Sequence, residues 1–165
     1  MSGRPQAQRS PAEIAEGAWN LYRAADERVV GVLRKVGLPL LRLSLGVVFI
    51  WFGSLKIAGV TPVAELLADT VYWFDPEWFV PLLGGFEFLV GAFLIVGRFM
   101  RLVLLLFALQ MIGTFLVFVV QPDVAFQDGN PLRLTVEGEF VVKNLVLLSA
   151  GLVVGSRLPR PRPWS

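Results

Sequence analysis

The chemistry this chain can offer rests on a few polar side chains set inside long apolar runs: Arg42, Lys56, Glu87, Gln110, Glu139, Lys143 and Asn144. An ionisable group in hydrocarbon is costly, so each must be paired, neutral or in use. Glu87 lies roughly 10 Å inside its run at a rise of ~1.5 Å per helical residue. Lys56 and Lys143 are the amines available to partner it. A carboxylate beside amines can accept a proton while the amines donate hydrogen bonds to a carbonyl oxygen. Simpler readings compete. Lys56 and Arg42, about 21 Å apart along one helix, would snorkel toward opposite interfaces. Glu139 would be solvated or would bridge Lys143 one turn on. Gln110 falls near the middle of its run, and Asn144 stands beside Lys143.

Cysteine and histidine are both absent from the 165 residues. That excludes disulfides, thiol redox chemistry, Fe–S clusters and Cys-based zinc sites. It also removes the usual haem ligand, the commonest metal ligand and the usual general base. No metal site, no covalently bound cofactor and no catalytic residue is expected, and an independent enzyme is disfavoured. Redox chemistry would need a diffusible cofactor or a partner. The Gly84-Gly85 pair is better explained by close helix packing than by phosphate binding. A formal net charge of +2 is too small to suggest nucleic acid.

The elements that must position these side chains are four runs, at residues 38–58, 79–97, 99–121 and 139–156, each near the ~20 residues a spanning helix needs. With 55% hydrophobic residues and a mean hydropathy of +0.66, the chain reads as an all-α integral membrane protein. The fold expected over residues 38–156 is a four-transmembrane-helix bundle, contacting membrane lipid on its outside. Basic residues are sorted. Arg4, Arg9, Arg23, Arg28, Arg34 and Lys35 precede the first run, Arg98 and Arg101 flank the second turn, and Arg157, Arg160 and Arg162 end the chain. The first loop has no Lys or Arg, and the third has Arg133 alone. The positive-inside rule then puts both termini in the cytoplasm and loops one and three outside.

Helical spacing assigns one inward stripe to each span. These are Arg42, Gly46, Phe49, Gly53 and Lys56; Gly84, Glu87, Gly91 and Ile95; Gln110, Gly113 or Thr114, and Val117; and Glu139, Lys143, Leu147 and Ala150. Small residues on these stripes would let helices approach closely. Lys56, Glu87, Glu139 and Lys143 should then converge in the outer half of the bundle. Residues 10–36 read as an N-terminal amphipathic interfacial helix, with Ser10 as N-cap, Pro11 at the first position and Glu13 closing a capping box. Its stripe of Ile14, Ala18, Leu21, Ala25, Val29 and Val32 would lie on the cytoplasmic face, with Trp19 and Tyr22 at headgroup depth. Alternatively, it would dock on the bundle or on another subunit. The first apolar run starts near Val36, too late for a cleavable signal peptide. Residues 62–70 predict a short lidding helix, followed by an aromatic belt from Tyr72 to Phe79. Residues 124–127 and 132–137 predict a small hairpin around Asp128-Gly129-Asn130-Pro131. Tails 1–9 and 157–165 read as disordered.

Three motifs in order resemble one family. Arg42-x-Ser-Leu-Gly46 with Phe49-x-x-x-Gly53-x-x-Lys56, then Gly84-x-x-Glu87-x-x-x-Gly91, then Glu137-Gly-Glu-Phe-Val-Val-Lys143-Asn-Leu-Val resemble the DoxX-like membrane proteins. The stretch Phe49 to Lys56 is close to their YkgB-type branch. The likeness spans residues 38–156 and leaves the N-terminal helix outside. It implies a four-helix bundle in the bacterial cytoplasmic membrane. In that family some members serve quinone-linked sulfur oxidation, and others serve membrane redox complexes with soluble oxidoreductases. The function expected is therefore a membrane subunit scaffolding or assisting a redox or stress-response complex. Its partner would be a soluble or membrane oxidoreductase or a second copy of the chain. A polar pocket would suit a quinone headgroup or another small polar ligand. A proton-coupled transporter titrating Glu87 and gated by Arg42, and a structural protein without ligand, are the alternatives.

Overall fold

The computed structural model describes residues 11–159. The expected Ser10 cap, the first tail and residues 160–165 lie outside them, as do the side chains of Ile14 and Ala18. Two compact units divide after Pro39. Helix α1 (Pro11–Ile57) is helical throughout, Pro39 included, where two segments were expected. Proline removes one helical hydrogen bond but does not by itself end a helix whose preceding residue stays helical. In the first unit Leu21, Val29 and Val32 are exposed, Trp19 stacks on Tyr22 at 5.5 Å, and the Arg23 guanidinium lies 5.3 Å over the Trp19 ring.

Among the described residues the second unit holds the rest of α1, a short 3-10 helix (Gln127–Gly129) and six further α-helices: α2 (Ala64–Thr70), α3 (Pro76–Val96), α4 (Met100–Thr114), α5 (Val117–Val120), α6 (Pro122–Ala125) and α7 (Val136–Ser156). Local chemistry explains the ends. Asp75 caps α3 by accepting from the Glu77 backbone N–H at 2.9 Å, Pro76 occupies its first position, and Gly97 ends it in the left-handed conformation (φ 77°). Thr135 caps α7 by accepting from Gly138 N–H at 3.1 Å. Four helical stretches, Ala15–Ile57, Pro76–Val96, Met100–Val120 and Val136–Ser156, are long and apolar enough to cross a membrane. The chain is an all-α, multi-pass membrane protein.

The second unit's core is Leu45, Phe49, Val90, Leu94, Phe107 and Val154, with Phe49 and Phe107 rings 4.8 Å apart. Leu82, Leu89, Leu102, Leu105, Leu109, Val146 and Leu152 are exposed. That is the arrangement lipid-facing surfaces require.

Three expectations are amended. The third span runs over Met100–Val120, close to the expected bounds, but has a break inside it. It tightens at Phe115 and Leu116, whose N–H groups donate to Ile112 and Gly113 at 3.1 Å, and α5 resumes at Val117. The Thr114 hydroxyl donates to the Met111 carbonyl at 2.6 Å, occupying an oxygen that the tight turn frees. The third loop forms no two-stranded hairpin. A single antiparallel bridge joins Phe126 to Leu134, because Pro122 opens a helical turn where the first strand was expected. Beyond α7, the Pro159 carbonyl accepts from Arg101 Nη2 at 2.6 Å, so this part of the tail is held.

Candidate functional site

Where α1 and α3 cross, two glycine pairs bring their backbones together. A Cβ on Gly46 would lie 2.8 Å from the Gly91 carbonyl oxygen, and one on Gly91 would lie 2.6 Å from that of Gly46. Gly53 and Gly84 repeat the contact at 2.6 and 2.7 Å. Gly53 and Gly84 also make room for charge. The Lys56 stem passes over Gly84, whose added Cβ would meet Lys56 Cβ at 2.7 Å, and the Glu87 stem passes over Gly53, 3.2 Å from its added Cβ. Each helix thus carries a glycine and, three residues on, an ionisable group, and each glycine accepts the other helix's stem.

The two side chains meet directly. Lys56 Nζ donates to Glu87 Oε2 at 2.6 Å, with both residues about 95% buried. From α4, Gln110 Nε2 donates to Glu87 Oε1 at 2.5 Å. Both carboxylate oxygens are therefore engaged by neighbouring helices. Gln110 Oε1 is turned away from the carboxylate and is buried without a hydrogen-bond partner among the described residues. With Glu87 ionised this orientation is the favoured one, because the reverse would set two acceptors against each other.

These three residues sit on the wall of a cavity of about 250 Å³. Its sides are Phe49 and Phe52 from α1, Phe79 and Leu83 from α3, Met111, Gly113 and Thr114 from α4, and Phe140, Val141, Asn144 and Leu147 from α7. Helix α2 covers one end with Leu66, Leu67 and Thr70. Gln121 clamps that cover: its Nε2 donates to Leu66 O at 3.0 Å and to Thr70 Oγ1 at 2.8 Å. The Thr70 and Thr114 hydroxyls donate within their own helices. Apolar walls surrounding one polar corner are the usual form of a small-molecule site.

Other residues singled out from sequence lie elsewhere. Glu139 and Lys143 do not join Glu87. They are exposed (59% and 72% for their side chains) and lie 3.5 Å from each other across one helical turn. The inward stripe of α7 is instead Gly138, Val141, Asn144, Leu147, Gly151 and Val154, which keeps Leu147 from the expected stripe but is rotated away from Glu139 and Lys143. With Val and Leu on every side of α7, the apolar pattern does not mark its inner face. Arg42 is half-buried, its guanidinium over Gly97 at the carboxyl end of α3, where a cation suits the helix dipole. Gln121 and Thr70 were missed as site residues. Their contacts join positions about fifty apart in sequence, and their only signal was being polar at the edges of apolar runs.

Among known families, the model described as DoxX matches residues 37–120, just over half of the chain. The match includes Lys56, Glu87 and Gln110 and stops before α7. No curated protein and no solved structure matches the chain.

Proposed function

The chain belongs to the DoxX family, and from that premise we propose a membrane subunit whose cavity binds the polar end of a small, largely apolar molecule of quinone-headgroup type. In this reading it assists a redox or stress-response assembly in the bacterial cytoplasmic membrane. A soluble or membrane oxidoreductase would supply the redox centre, since the sequence offers no Cys or His to ligate one. The sorting of arginines supports an orientation with α2 and loop three outside and both termini cytoplasmic. The run from Phe49 to Lys56 supports the YkgB-type branch. The amphipathic pattern of residues 10–36 supports a helix on the inner membrane face.

One observation carries the ligand reading: Lys56, Glu87 and Gln110 form a polar corner in the lining of an otherwise largely aromatic and aliphatic cavity. The Lys56 ammonium has three protons, and a single acceptor, Glu87 Oε2, engages it among the described residues. A ligand carbonyl would accept from it while the ring lies among Phe49, Phe52 and Phe140.

The test uses the full chain in lipid nanodiscs and a short-chain benzoquinone, read by tryptophan quenching against empty nanodiscs. Saturable binding is expected. Gly113→Leu should abolish it without lowering accumulation, because Gly113 lines the cavity and an added Cβ meets nothing within 4 Å. Equal quenching in wild type and Gly113→Leu would refute the pocket reading.

A further inference from the structure

Arg42 is a partly buried cation that the cavity leaves unused. From its surroundings we infer that the end of the bundle where α3 gives way to α4 seats the phosphate headgroup of an anionic phospholipid. The Arg42 side chain is half-buried and its guanidinium is spread over Gly97, where an added Cβ would meet Nη1 at 2.8 Å and Nη2 at 3.5 Å. No carboxylate or carbonyl among the described residues accepts from it. Its Nε is enclosed, so an acceptor reaches only the outer nitrogens. The carboxyl end of α3 offsets part of the charge. A guanidinium partly withdrawn from water still calls for an acceptor anion, and its planar fork matches phosphate.

The charge at this end is of one sign. Arg98 follows Gly97 directly, and Arg101 lies in the first turn of α4. The bond from Arg101 Nη2 to the Pro159 carbonyl, at 2.6 Å, brings the chain just past Arg157 to the same end. Between residues 40 and 159, every acidic residue except Glu87 falls at 65–77 or 123–139, in or beside the loops at the opposite end. The four arginines therefore have no carboxylate at their own end of this unit. What flanks them favours a lipid over a soluble anion. Leu43, Val96, Phe99 and Leu102, neighbours of the arginines in sequence, are exposed, and the Arg98 guanidinium stands 5.6 Å over the Phe99 ring. Acyl chains cover such a surface while the phosphate accepts from the arginines, as anionic headgroups do in basic pockets between membrane helices.

The test is native mass spectrometry of the full chain in a neutral detergent and about 0.15 M ammonium acetate, where attraction beyond roughly 8 Å is screened. The probes are dilauroyl phosphatidylglycerol and dilauroyl phosphatidylcholine, alike in their chains and different in net charge. Phosphatidylglycerol is expected to bind about twentyfold more tightly, two arginines contributing about fivefold each. Arg42→Gln and Arg98→Gln should each weaken phosphatidylglycerol about fivefold and leave phosphatidylcholine unchanged. Arg133→Gln removes the same charge at the opposite end and should change neither. Because Arg98 is exposed, its comparison with Arg133 decides even if Arg42→Gln fails to accumulate. Equal binding of the two lipids, or equal losses in the Arg98 and Arg133 variants, overturns the site. So does loss of the preference when sn-glycerol 3-phosphate is added at the lipid's concentration, which would mark a site for a soluble anion.

Discussion

Glu87 is held from two directions, by an ammonium from α1 and an amide from α4. At this burial the pair's value lies less in its attraction than in the cost of separating it. Glu87→Leu leaves the Lys56 ammonium without a counter-charge, and Lys56→Met leaves the carboxylate. Each single change is expected to cost about 3–5 kcal/mol. The double variant should be less destabilised than the sum, and thermal unfolding in one detergent compares all three. An additive double variant would show that the contact carries no coupling. Lys56 and Glu87 were recognisable in the sequence because charge in an apolar run stands out. Which lysine Glu87 would choose was not. Depth along a helix follows from counting residues, but direction around it depends on how the helix is rotated, and α7 turns Lys143 outward.

Among the elements, α1 and α3 are joined by backbone rather than by side-chain interdigitation. At Gly53 and Gly84 the atoms that a methyl group would meet include main-chain oxygens at 2.6–2.7 Å, which have no room to move aside. Gly53→Ala or Gly84→Ala must push the helices apart, which also separates Lys56 from Glu87. A loss of about 1–3 kcal/mol is expected by analogy with overpacked cores. Gly85→Ala is the control: its added Cβ meets nothing within 4 Å, and removing a helical glycine should be neutral or stabilise by about 1 kcal/mol. If Gly85→Ala matched Gly84→Ala in thermal unfolding, close approach would not be the reason for the glycine. The glycine stripe was legible because it repeats at helical spacing alongside the charges. The cover over the cavity was only half legible. Residues 62–70 showed a helical pattern, but the Gln121 clamp brings together residues 51 and 55 apart. Gln121→Leu should raise amide exchange across α2 about tenfold, the equivalent of losing about 1.4 kcal/mol of local stability. Exchange in α3 should not change.

For the molecule as a whole, the membrane supplies the organising rule. Long apolar helices cross it, and arginines collect on the side from which they were not translocated. Because the chain has no cysteine, single cysteines report topology without background. Replacements at Asp69 and Asp128 should react with a membrane-impermeant maleimide on intact cells. Replacements at Arg98 and Arg157 should react only after the membrane is opened. The reverse pattern would invert the proposed orientation and place the α2 cover toward the cytoplasm.

Reading residues in order was enough to establish an all-helical membrane protein, its four spans, the glycine-lined stripes of α1 and α3, and the family that those stripes resemble. These follow from local composition and periodicity, which the lipid environment makes unusually strict. The folded chain alone decided the rotation of α7, the break after Thr114, the union of Lys56, Glu87 and Gln110, and the cavity beside them. Each of these depends on where one helix stands against another. A periodic pattern whose every face is apolar carries no record of that.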